Sequence, residues 1–337
     1  MTNIEANPQY SVLEAGQPCT AVEVLEPRVV PLGGPRAMTV YRALPAKSRS
    51  MVGAWCFADH YGPYDVAASG GMSMARHPHT GLATVSWLFS GEIDHLDSGG
   101  NAASVVPGEI NLMIAGSGIT HQEIMAPHTS VLHGVQLWYA LPDSERFSTN
   151  HFENYVPPVV SSGSVSVQVF IGEMFGSASP VKTRTPPLVG AELRFRGGSI
   201  HSIEVEPNFE YALLAEDGPI TVNGVQIPHR AMAFIPTGST VFTLKARDQT
   251  TRVILLGGEP LGESIVMWWN FIGRTHDEIE EFRARYQAEM GFEPFLPEHH
   301  KLPRMFGDFP ADTPAPLRAP QMPEVRLKLR PSSNLSS

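Results

Sequence analysis

Cysteine is almost absent: Cys19 and Cys56 are the only two in 337 residues. So few thiols cannot frame a disulfide scaffold or a thiolate zinc site. Charge is sparse, with Asp, Glu, Lys and Arg together at 17%, below the usual quarter. Basic residues are the minority, 24 Lys and Arg against 34 Asp and Glu, for a formal charge of −10. That balance argues against direct nucleic acid binding, which depends on cations neutralising phosphates. No run approaches the roughly 18 apolar residues of a membrane helix. The opening MTNIEANPQY has neither the basic nor the apolar region of a secretory signal. The expectation is a soluble, cytoplasmic protein with no membrane contact.

Turn formers are plentiful, with 30 Gly and 30 Pro beside 42% hydrophobic residues, so the chain reads as all-β and not as a helix bundle or a disordered polymer. Val85, Trp87 and Phe89 alternate with Thr84, Ser86 and Leu88, and Gly91 breaks the run. This is the period of two that marks a strand and a returning strand. Similar runs recur through both halves, and their common order suggests a duplicated barrel. The division drawn is residues 1–150, residues 151–300, and a tail at 301–337. The one helix expected lies near 275–290, where Thr275 and Glu278 fit a capping box and Ile279, Phe282 and Tyr286 share a face. The tail holds seven prolines and reads as an extended or disordered segment without a packed core. Its alternation of Val325, Leu327 and Leu329 with Arg326, Lys328 and Arg330 also suits an arm laid on the body or on another subunit.

His77-Pro78-His79 precedes the first clear strand, and His121-Gln122-Glu123 ends another extended stretch. Residues i and i+2 of a strand point to one face, so each pair can aim both side chains into one barrel. Together they offer three imidazoles and one carboxylate, a set used by non-haem Fe(II) sites with positions left open. A single such pair is more often incidental than a ligand; two on separate strands favour a metal. His95 and Asp97 have the same spacing and read as a hairpin surface. Trp87, Met113, Ile114 and Leu137 are candidate walls of a substrate cavity, with ordinary core as the alternative for each.

The stretches HPHTGLATVSWLFSGEIDHLDS, PGEINLMIAGSGITHQE and HGVQLWYALP, with FADHYGP before them and LLGGEPLGESIV later, resemble the pirin family. The resemblance implies a bicupin, two face-to-face antiparallel β-barrels of the jelly-roll kind with metal only in the first. By motif match the metal ligands are His77, His79, His121 and Glu123. It implies Fe2+ as the cofactor, with Mn2+, Ni2+, Co2+ or Zn2+ as alternatives. Three positions depart from the family pattern: Ala83 where a Glu is usual, Ser117 where an Arg is usual, and Trp268-Trp269-Asn270-Phe271 in place of YGPF. Two functions are compatible with the resemblance. One is a quercetin 2,3-dioxygenase-like enzyme acting on a small aromatic substrate and O2, with Glu123 as a proton acceptor whose pKa is raised by a dry cavity. The other is an iron-dependent redox sensor that binds a protein partner such as a transcription factor or a metabolic enzyme. A monomer or an arm-mediated homo-oligomer would suit either.

Overall fold

The computed structural model describes residues 11–13, 22–32, 38–247 and 249–327. Its strands build two barrels of one plan, each a seven-stranded sheet opposed by a four-stranded sheet. In the first barrel the large sheet runs His151–Tyr155, Ile110–Ile114, Leu82–Ser90, Val131–Ala140, Trp55–Asp65, Met38–Leu44, Arg28–Leu32. Its small sheet runs Ser73–His79, Ile119–Met125, Ile93–Asp97, Ala102–Val105. The second barrel reaches the same sheet sizes with strands between Val160 and Gly258 and one more from near the start of the chain. One strand breaks the division drawn from the sequence. Glu23–Leu25 crosses over and pairs with Met232–Ile235, covering an edge of the second barrel's large sheet. An unpaired edge is a liability for any sheet, but three residues carry too little pattern to reveal which sheet they join.

Alternation along the strands decides what each face buries. Val85 and Trp87 of Leu82–Ser90 belong to an apolar cluster that also holds Phe170, Leu188 and Leu256 of the second barrel. The large sheets therefore pack face to face. Trp87 Nε1 donates to Glu192 Oε2 at 2.7 Å, and Trp55 Nε1 lies 3.2 Å from the carbonyls of Val189 and Gly257. At Gly53, with φ +56°, a Cβ would stand 3.0 Å from Gly258 Cα, so only glycine lets the two backbones approach there. Three of the proposed cavity walls, Trp87, Ile114 and Leu137, thus lie in the joint between barrels, and Met113 sits in a small cluster with Phe152.

The helix spans His276–Glu289, and Thr275 accepts the Glu278 backbone N–H at 3.2 Å. Only half of the expected capping box forms. The Glu278 carboxylate takes the N–H of Arg274 at 2.6 Å and a two-pronged bond from Arg146 at 2.9 and 3.0 Å. A charge-assisted fork of that kind outcompetes a single N–H.

Residues 302–327 of the tail follow the arm reading and lie on the body, not the reading of a segment without a packed core. Phe306, Ala319 and Leu327 are buried among Trp269, Phe271, Phe282 and Tyr286. The body supplies the hydrogen bonds that a proline-rich chain cannot make with itself. Glu289 accepts from Met305 and Phe306 N–H at 2.7 and 2.9 Å. Arg76 donates to Gly307 O at 2.9 Å and Tyr286 to Leu317 O at 2.6 Å. Arg326 pairs with Asp277, yet no strand forms around Val325–Leu327. Lys328, Leu329 and Arg330 lie outside the described residues. Phe306→Ala empties a fully buried position in this cluster and is expected to cost about 3–5 kcal/mol, read as a lower urea midpoint with an unchanged slope.

Candidate metal centre

Strand register brings the polar residues together. Ser73–His79 pairs with Ile119–Met125 so that His79 lies opposite Ile119 and His77 opposite His121, with a register shift before Glu123. On the other side, Ile93–Asp97 sets Asp97 opposite His121 and His95 opposite Glu123. Directly opposed residues share a face, as do residues two apart, so all six side chains collect on the inner face of the small sheet. His77, His79, His121 and Glu123 are essentially inaccessible to solvent. The three imidazoles of His77, His79 and His121 present nitrogens within 4.8 Å of one another, and His95, His121 and Glu123 form a second such group. His121 is common to both, and Glu123 adjoins the three imidazoles through it.

Neighbouring acceptors set the tautomers. His77 Nδ1 lies 2.8 Å from Ala75 O and must donate to it, which leaves a lone pair on Nε2, a buried atom without a hydrogen-bond partner among the described residues. Asp97 accepts from Gly99 and Asn101 N–H at 2.8 and 3.1 Å and faces His95 Nε2 at 3.2 Å. His95 therefore carries its proton on Nε2 and turns the Nδ1 lone pair towards His121 Nδ1, a long 3.5 Å contact. His121 in turn is protonated on Nδ1, and its Nε2 lone pair faces His79 Nε2 at 3.1 Å. Such outer hydrogen bonds orient imidazoles for metal binding.

Charge follows burial. Desolvation pushes the His77 imidazole down to about 3. His79 and His121 are held well below the ordinary imidazole value by burial, with neighbouring imidazoles adding to it. Neutral nitrogens meeting nose to nose in a dry pocket form a donor set that a divalent ion satisfies, so the residues present fit the metal implied by the sequence. Burial pushes the Glu123 carboxyl up, but its electrostatic surroundings outweigh that and hold the group below its usual value. Ser86 Oγ lies 3.1 Å from Glu123 Oε1.

His95 and Asp97 correct another expectation: they are 5% and 2% exposed, behind the ligands and not on a hairpin surface. Spacing reveals that two residues share a face but not which face is buried. Near Ile119, Ser117 and Gly118 border a cleft of about 820 Å³ that Phe147, Phe282, Arg285 and Arg304 also line. None of the four ligand candidates lines this cleft. Among the described residues, no helix is long and apolar enough to cross a membrane.

Comparison with known proteins agrees with this architecture. The Pirin family model matches residues 37–139, and the model of the pirin C-terminal cupin domain matches residues 190–292. A Pseudomonas aeruginosa protein provisionally named a quercetin 2,3-dioxygenase is 38% identical over 77% of this chain and 82% of its own. A pirin-like protein of Caulobacter vibrioides is 35% identical over 74% of this chain and 88% of its own. A crystal structure of quercetin 2,3-dioxygenase from Acinetobacter baumannii aligns with TM-score 0.83 at 34% identity, covering 92% of this chain and 98% of that one.

The depressed imidazoles make a prediction for the metal-free protein. Unfolded histidines gain protons below about pH 6.5, whereas folded His77 resists until about pH 3. The unfolded state then binds more protons, so stability is present above pH 6.5 and is lost as pH falls through that window. Thermal melts of the metal-stripped protein between pH 7.5 and 4.5 should show a falling midpoint, and His77→Gln should flatten the decline.

Proposed function

The chain belongs to the pirin family, and we propose that it is a metal-dependent dioxygenase that opens the ring of a flavonol-type, quercetin-like substrate. The mononuclear centre would be held by His77, His79 and His121 through Nε2 and by a Glu123 oxygen, with Fe2+ as the ion and Mn2+, Ni2+, Co2+ or Zn2+ as alternatives. The observation that carries this reading is the convergence of three neutral, buried imidazoles beside one carboxylate. A bound ion would supply Lewis acidity and a template for substrate oxygen and O2. Both atoms of O2 end in the products, and the substrate ring provides the electrons.

The chain's own groups account for the rest. Glu123, held ionised, is ready to accept the substrate's hydroxyl proton on a carboxylate oxygen. Ser86 orients it through Oε1. His95 and Asp97 fix the tautomer of His121, and the edge-on ring of Trp138 packs against His79 with centroids 5.1 Å apart.

His121→Ala is expected to abolish metal uptake at this centre together with oxygen-dependent loss of flavonol absorbance. Glu123→Gln keeps the shape but not the basicity, and kcat should fall roughly 10²–10⁴-fold while metal, measured by elemental analysis, is largely retained. Unchanged kcat in that variant would remove Glu123 from the proton transfer. Absence of turnover with every one of the five metals across flavonols and catechols would overturn the enzyme reading.

A further inference from the structure

A second group of ligand-type side chains lies at the joint between the barrels, apart from the centre described above. His60 and His133 come from the paired strands Trp55–Asp65 and Val131–Ala140, and a register shift at His133 turns it towards His60. Glu216 follows the strand Glu210–Ala215 of the second barrel. His60 Nε2 lies 3.3 Å from His133 Nε2 and 3.3 Å from Glu216 Oε1, and His133 Nε2 lies 2.5 Å from the same oxygen. All three residues are buried.

The geometry points to a second divalent-metal site of the zinc class, with His60, His133 and Glu216 as ligands, that clamps one barrel to the other. An ion about 2.0–2.2 Å from two imidazole nitrogens and one carboxylate oxygen sits just above the plane of this triangle. Its remaining position opens on the side of His133, whose side chain keeps 10% of its surface exposed. Burial lowers the His60 pKa despite the opposing pull of Glu216, so its nitrogen is neutral near pH 7. The other Glu216 oxygen is fixed by Arg252 Nη1 at 3.1 Å, which leaves Oε1 facing the histidines. The Arg252 charge is itself shared with Glu192 at 3.2 Å and Asp217 at 3.7 Å, and Glu192 is also paired with Arg194. Without an ion, the three groups form only a hydrogen-bonded knot, and the experiment separates these two states.

The test uses the full chain carrying His121→Ala, which disables the first centre, stripped of metal and titrated with Co2+ and, separately, Zn2+. One equivalent should bind, giving visible Co2+ absorption of low-coordinate intensity and a higher thermal midpoint with Zn2+. Adding His133→Gln, or instead Glu216→Gln, to that background should weaken uptake at least tenfold, with circular dichroism confirming the fold. No uptake by the His121→Ala chain, or uptake indifferent to both further changes, overturns the proposal. Because no readout is enzymatic, failure here is distinct from failure of the dioxygenase reading.

Discussion

A strand can offer a side chain to one of two sides only, and the candidate centre depends on that restriction. His77 and His79 share a side because their positions are two apart, and the antiparallel register sets His121 opposite His77. A slip of one residue would turn the imidazoles of one strand away from those of the other. The large sheets resist such a slip, since their outer faces are committed to each other through Trp55, Trp87 and the apolar cluster around them. Packing between barrels thus protects the alignment of ligands inside one of them.

Much of this was legible in the chain. The alternation at Leu82–Ser90, the helix after Thr275 and the two short metal-type motifs are local patterns, and local patterns survive in a sequence. What escaped detection depended on distant partners. His95 and Asp97 have the same spacing as the ligands, but only the neighbouring strand Ile119–Met125 decides that they face inward. His60, His133 and Glu216 are separated by 73 and 156 positions along the chain, and no motif announces a meeting between residues of different barrels. Trp87 was ambiguous for a similar reason: its strand shows that it is buried, but not against which body.

The tail shows how composition can mislead. Proline frequency speaks to what a segment can do alone, whereas Phe306, Ala319 and Leu327 find their core in the body. Two of the groups that hold the tail, Arg76 and Thr120, directly precede His77 and His121 in the chain. Arg76 bonds Gly307 O at 2.9 Å, and Thr120 bonds Phe306 O at 3.1 Å. The tail therefore braces the two ligand strands from behind. The replaced motif Trp268–Phe271 supplies the aromatic floor on which it rests.

The crossing strand Glu23–Leu25 sets a timetable for synthesis. It leaves the ribosome before either barrel exists, and its partner Met232–Ile235 emerges only after most of the chain has been made. The first barrel can close in the meantime, but the segment leading into it must wait with open backbone valences. The two halves are consequently laced together by the nascent chain, and neither is a module that could be lifted out and used alone with all its edges covered.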